Sequence, residues 1–169
     1  LAFFAPASGL NPETVERYEA NRLLVVRQLV YSDKHEGRLD LALVLNGLPL
    51  VTMELKNPLT CQTFKDAVRQ YKNERDYNDL LFKFKQRALV HFAVDPDEVW
   101  MTTQLKGGST HFLPFNKGCG MGAGNPPRED NYDTAYLWEE VLERESFLDI
   151  LARFVSIEQD KYDRERMIF

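Results

Sequence analysis

Two cysteines, Cys61 and Cys119, are too few for a disulfide framework. The expectation is reduced thiols in a cytoplasmic compartment. The three histidines form no metal-ligand spacing with one another or with the cysteines. No run approaches the roughly 20 apolar residues of a membrane span. The most apolar stretch, Leu39 to Leu55, is broken by Asp40, Asn46, Gly47 and Glu54. No cationic leader followed by an apolar core and a cleavage site opens the chain. Positive charge is short as well: 21 Lys and Arg stand against 26 Asp and Glu, a net charge of −5. That balance excludes a protein that coats nucleic acid through bulk charge, and leaves room for one that grips DNA locally and keeps carboxylates for cations. Internal repeats and low-complexity tracts are missing too. The Gly118–Gly124 run lacks the Gly-Lys-Ser/Thr ending of a phosphate-cradling loop and reads as a flexible loop, and no Gly-x-Ser-x-Gly is present for acyl transfer.

What is present is ordinary globular material. Hydrophobic residues make up 44% of the 169 and charged residues 28%, enough apolar surface to bury a core without disulfides. The length fits one domain. Asn11 to Ala20 reads as a short helix, with Asn11 as cap and Pro12 in the first turn. Leu23 to Tyr31 reads as a strand, and Ser32 to Gly37, with His35, as a loop from which His35 has a path to a phosphate. Arg38–Asn46 and Leu48–Lys56 are strand-like runs joined at Asn46-Gly47, a strong hairpin signal. Asn57-Pro58 ends the second run. Thr60 to Tyr77 follows a helical period through Phe64, Ala67, Val68 and Tyr71. Ala88–Val94, where His91 alternates with apolar neighbours, and Val99–Thr103 are further strands. Lys106–Asp133 is a long loop with one short strand at most, and Ala135–Val155 is helical, with Trp138, Phe147 and Phe154 on its apolar face. The order predicts a mixed α/β domain. The start at Leu1 and the apolar Met167-Ile168-Phe169 end are the expected marks of a piece excised from a longer chain, with residues 1–155 as the domain and 156–169 as the start of a linker.

Three residues carry the chemistry. Asp40, Glu54 and Lys56 interrupt apolar strands, and a carboxylate buried there alone is costly. Glu54 and Lys56, two apart, project from one face of their strand. A plain two-residue turn at Asn46-Gly47 sets Asp40 opposite Met53, on the wrong face. A longer loop or one bulge shifts the register by one and brings Asp40 across from Glu54. Two converging carboxylates repel unless a cation lies between them, and hard oxygen ligands suit Mg²⁺. A lysine beside the ion can orient or deprotonate a water. The same spacing also suits an ordinary strand with a wet polar face and a Glu–Lys or Asp–Lys ion pair.

The segment resembles the PD-(D/E)xK nuclease motif, with Leu39-Asp40 in place of Pro-Asp and Glu54-Leu55-Lys56 matching the second half. The run Arg38-Leu-Asp-Leu-Ala-Leu-Val-Leu-Asn-Gly-Leu-Pro-Leu-Val-Thr-Met-Glu-Leu-Lys-Asn-Pro58 is similar to the N-terminal nuclease domain of the restriction subunit of type I restriction–modification enzymes. So are Asp66-Ala-Val-Arg-Gln-Tyr71 with Arg75 after it, Val90-His-Phe-Ala-Val-Asp95, Val99-Trp-Met-Thr-Thr103, Phe112-Leu-Pro-Phe-Asn116 and Thr134-Ala-Tyr-Leu-Trp-Glu139. The resemblance runs from about Tyr18 to Phe154. It implies a restriction-endonuclease-like mixed β-sheet with flanking helices and an endonuclease that cuts DNA with Mg²⁺. It also implies fusion to an ATP-driven translocase and partnership with methylation and specificity subunits. On that resemblance Asp40, Glu54 and the carbonyl of Leu55 hold the metal, and Lys56 orients the water. Gln70 matches the glutamine of a Gln-x-x-x-Tyr helix motif, although Glu74 stands where the tyrosine is expected.

The stretch Lys65 to Arg87 holds seven basic residues against four acidic, a local charge of +3 in an acidic chain. Local positive charge is what phosphate contacts need, so Lys65, Arg69, Tyr71, Lys72 and Arg75 are the expected DNA-facing residues. A solvated amphipathic helix has the same pattern. Two other functions fit the sequence: a free-standing nuclease, and a non-catalytic domain of the same fold that docks DNA or a partner.

Overall fold

The computed structural model describes residues 2–4, 6, 11–34, 36–159 and 164–169. After helix α1 (Pro12–Glu19) come strands β1 (Leu23–Val30), β2 (Arg38–Leu45) and β3 (Leu48–Leu55). A 3₁₀ turn (Pro58–Thr60) leads to helix α2 (Phe64–Asn73), then β4 (Val90–Val94), β5 (Val99–Thr102) and the short β6 (Leu113–Pro114). A π-helical segment (Leu137–Val141), helix α3 (Arg144–Arg153) and the hairpin β7 (Ser156–Gln159) and β8 (Glu165–Ile168) complete the chain. The first six strands form one sheet in chain order. Its pairs are antiparallel except β3 and β4, which are parallel. A parallel neighbour needs a crossover, and α2 lies within it. The domain is mixed α/β, a six-stranded mixed sheet flanked by helices, consistent with the expected restriction-endonuclease-like architecture.

The sheet is covered on both faces, and β4 shows it: all five of its residues are buried. Val90, Phe92 and Val94 pack with Val51, Val99 and Met101 against Tyr136, Leu137, Leu142 and Phe147. On the other face Ala42 packs with Tyr71, Leu81, Phe82 and Ala88. Each β4 residue faces one layer or the other, so the strand reads as nearly continuous apolar sequence.

The β2–β3 hairpin departs from a plain one in the way the site requires. Asn46 and Gly47 have φ of 50° and 85°, the two left-handed residues of a tight two-residue turn. The pairing begins Leu45↔Leu48 and Val44↔Pro49, then jumps to Leu43↔Val51. Leu50 is the extra residue of a β-bulge. Pro49, which has no N–H for a ladder, lies next to the irregularity, where proline is tolerated. From there Leu41 pairs with Met53, so one step further Asp40 stands across from Glu54.

Several expectations need correction. The helix expected over 60–77 spans only Phe64–Asn73. Thr63 caps it: its side chain accepts from the first-turn backbone, and Thr63 N donates to Asp66 Oδ2 at 2.9 Å. A capping box fixes a helix start where periodicity cannot. Trp138 and Phe154 are 45% and 59% exposed, and only Phe147 of the three expected core aromatics is buried. The π-helical winding turns less per residue than an α-helix does, so spacing of three and four misassigns the face of Trp138. The tail expected as linker carries β7 and β8. Met167 is buried, Thr103 Oγ1 donates to its carbonyl at 2.8 Å, and Phe169 packs edge-on to Phe92. The Gly118–Gly124 loop is closed on itself by Gly118 N to Gly124 O and by Cys119 and Gly122 backbone bonds. No helix among the described residues is long and apolar enough to cross a membrane.

Thr63→Ala removes the side-chain half of the capping box at the start of α2. It is expected to cost about 1 kcal/mol of stability, measured as a lower urea midpoint with unchanged slope.

Candidate active site

The end of β3 assembles the site. The bulge puts Asp40 and Glu54 side by side on the α2 face of the sheet, and Gln28 of β1 extends the row, because the β1–β2 pairing sets it across from Asp40. Asp40 is half-buried, and both its oxygens accept hydrogen bonds. Leu55 N donates to Oδ2 at 2.9 Å and Gln28 Nε2 to Oδ1 at 3.2 Å.

Glu54 is 0% exposed. Its Oε1 accepts from Arg75 at 2.7 Å from Nε, and Nη2 lies 2.5 Å from the same oxygen. Arg75 Nη2 also donates to the Arg38 carbonyl at 2.8 Å, and Nη1 reaches the Tyr31 hydroxyl. The other oxygen, Oε2, is buried and receives no hydrogen bond from the described residues. Burial pushes the Glu54 carboxyl up to about 8. The neighbouring Asp40 charge adds to the rise, and the Arg75 guanidinium pulls the other way without winning. A proton on the Glu54 carboxyl has Asp40 as its acceptor.

Lys56 and Gln70 meet: Lys56 Nζ donates to Gln70 Oε1 at 2.6 Å. The strand end is pinned by Lys56 N to Val94 O at 2.9 Å. Helix α2 carries Gln70 over the sheet because its start is anchored twice. Asp95 Oδ2, at the end of β4, accepts from Phe64 N at 2.8 Å, and the Phe64 ring stacks on Trp100 at 5.1 Å. Beneath it lies a buried polar relay. The Thr52 hydroxyl is hydrogen-bonded to Tyr71 Oη at 2.9 Å and to His91 Nδ1 at 2.7 Å. Burial pushes His91 down to about 3, so it stays neutral and structural, as its place in a strand predicts.

The donor set suits a hard divalent cation: two carboxylates, one buried oxygen without a donor, and the backbone of Leu55 next in line. Among the described residues no group of three or more His, Cys, Asp and Glu side chains gathers as a metal cluster. Mg²⁺ characteristically binds through one or two carboxylates and keeps several waters, so a two-carboxylate site meets its needs.

The expected DNA-facing residues separate. Lys65 and Arg69 are exposed on α2 and Lys72 is half-buried, with Arg69 paired to Asp66 at 2.6 Å. Tyr71 is 0% exposed and faces the core, so it cannot reach a phosphate. Arg75 lies beyond the end of α2 and turns inward to Glu54. The apolar period through Phe64, Ala67 and Val68 already sets Tyr71 on the inner face, whereas Arg75 lies past the last helical residue, where that spacing no longer applies. His35 lies outside the described residues. Two contributors escaped the sequence reading: Gln28, and Arg75 in its role as partner of Glu54. A buried carboxylate is stabilised by a cation nearby, and the three other basic residues of the 65–75 stretch hid the one that supplies it.

Removing one partner of a buried pair leaves an uncompensated group. Arg75→Ala is expected to lower unfolding free energy by about 3 kcal/mol. In the double variant Arg75→Ala/Glu54→Gln most of that loss is expected to return, since the neutral amide no longer needs the guanidinium. Equal losses in the single and double variants would show the pair to be uncoupled.

Comparison with known proteins gives one family. Neither curated proteins nor solved structures gave a match. Residues 11–110, from the helix α1 cap through β5 and past Asp40, Glu54, Lys56, Gln70 and Arg75, match the family described as Type I restriction enzyme R protein N terminus (HSDR_N). That match covers more than half of the 169 residues, and the chain belongs to the family of type I restriction enzyme R protein N-terminal domains.

Proposed function

We propose that this domain is a Mg²⁺-dependent DNA endonuclease of the PD-(D/E)xK type, acting as the nuclease part of a type I restriction subunit. The carrying observation is the Leu50 bulge, which sets Asp40 across from Glu54 and leaves the buried Glu54 Oε2 without a donor. Asp40, Glu54 and the Leu55 carbonyl are the protein ligands in this reading. A bound Mg²⁺ supplies charge stabilisation at the phosphate and lowers the pKa of a coordinated water. Lys56, steadied by Gln70, orients the attacking water and offsets charge developing on the phosphate. Lys65, Arg69 and Lys72 on α2 hold neighbouring phosphates of the DNA. ATP-driven translocation belongs to a motor part outside this chain, and sequence recognition to methylation and specificity subunits, in a cytoplasmic complex.

A second reading, a non-catalytic DNA- or partner-docking domain, draws on one observation: Glu54 is wholly buried and already has a cation in Arg75. The two part on metal binding. Mn²⁺, standing in for Mg²⁺, is titrated into the protein by calorimetry with and without a short DNA duplex. Saturable binding that is lost in both Asp40→Ala and Glu54→Ala is the expected result. No binding in the wild type, or binding indifferent to both changes, puts the docking domain first.

Two further outcomes follow from the site. Lys56→Ala is expected to retain Mn²⁺ binding and to cut DNA at least about a hundredfold more slowly, as loss of a proton-handling group does. Metal affinity is expected to rise with pH and level off above about 8, because Glu54 holds its proton below that value and must release it to bind. Calorimetry at pH 7 in buffers of different ionisation enthalpy should show a proton released, and Glu54→Gln should abolish both the release and the binding.

A further inference from the structure

Strand β1 carries a backbone anomaly opposite the site. It is an edge strand, and midway along it Gln28 has φ of 50°, in the left-handed region that side chains with a Cβ seldom adopt. Such a conformation persists only where surroundings impose it, and it gathers at functional sites. The position gives the reason. The pairing runs Arg27↔Leu41 and then Leu29↔Leu39, which sets Gln28 across from Asp40. Gln28 Nε2 donates to Asp40 Oδ1 at 3.2 Å, while Leu55 N holds Oδ2 at 2.9 Å. The carboxylate is thus gripped from both neighbouring strands by neutral donors. Gln28 is exposed, so this hydrogen bond competes with water and adds little to folding. Packing does not call for the left-handed turn either, because the side chain it delivers is not in the core.

We propose that Gln28 is a positioning residue of the nuclease site: it fixes the rotation of the Asp40 carboxylate so that the lone pairs left over face Glu54 Oε2 and the cation between them. This rests on the reading of Asp40 as a metal ligand. Partners of this kind govern the orientation of metal-binding carboxylates, and losing one weakens metal binding. A neutral donor suits the task, since it steadies the carboxylate without competing with the cation for its charge.

Two variants separate this role from a structural one. Gln28→Gly removes the amide and frees the backbone, because glycine adopts positive φ without penalty. Gln28→Ala removes the amide and keeps the strained backbone. The probe is Mn²⁺ alone, titrated into each protein by calorimetry, beside metal-free thermal unfolding. The expected result is about a tenfold loss of Mn²⁺ affinity in both variants. The Tm of Gln28→Gly is expected to match or exceed that of wild type, and that of Gln28→Ala to fall below that of Gln28→Gly. Affinity then falls without any loss of stability in the glycine variant, which a residue serving only the fold cannot produce. Wild-type affinity in Gln28→Gly, or a loss that tracks a lowered Tm, overturns the positioning role while the metal site stands. Wild-type protein that binds no Mn²⁺, or Asp40→Ala that binds it like wild type, overturns the metal reading and the role of Gln28 with it.

Discussion

The ion pair between Arg75 and Glu54 is the interaction on which the site depends. Glu54 belongs to β3, whose α2 face is closed over, and no water reaches its carboxyl. A carboxyl in that position survives by holding a proton or by facing a cation. Arg75 supplies the cation, and in doing so ties four parts of the chain together: the segment after α2, β3, the start of β2 through the Arg38 carbonyl, and Tyr31 beyond β1. Because both guanidinium contacts fall on Oε1, the second oxygen is left to whatever Asp40 shares with it.

The second constraint is register. Side chains on a strand alternate, so one residue more or less in β3 moves every downstream side chain to the other face. Leu50 is that residue. With it, Asp40 and Glu54 meet above the sheet. Without it, Asp40 faces Met53 and the site does not exist. The parallel β3–β4 pair then carries the strand ends outward together, and Asp95 just past β4 anchors the start of the helix that brings Gln70 to Lys56. The candidate site is therefore built from a bulge, an anchored helix start and a buried counter-ion, each of which orients a different side chain.

Much of this was legible in the residues. Asn46-Gly47 announced its turn, and alternation placed Glu54 and Lys56 together. The need for Asp40 to join them implied a bulge or a longer turn. His91 was readable as a strand residue satisfied in place. The helix ends were less legible, because apolar periodicity from Phe64 to Tyr71 says nothing of where Thr63 and Asp66 close the first turn. The face of Trp138 was misjudged because a π-helical segment does not follow α-helical spacing. The basic stretch misled most: seven cations in sequence look alike, yet Arg75 is buried in the site while Lys65 and Arg69 remain in solvent.

By itself the sequence determined the mixed α/β class, the hairpin and the family, because these rest on composition, period and motif. Only the tertiary structure decided which cation neutralises Glu54, that Tyr71 is core, that Gln28 reaches Asp40, and that the tail folds back on Phe92. These depend on contacts between residues from 12 (Gln28 and Asp40) to 77 (Phe92 and Phe169) positions apart, brought together by strand pairing and by a helix laid across the sheet, and local patterns hold no record of such distances.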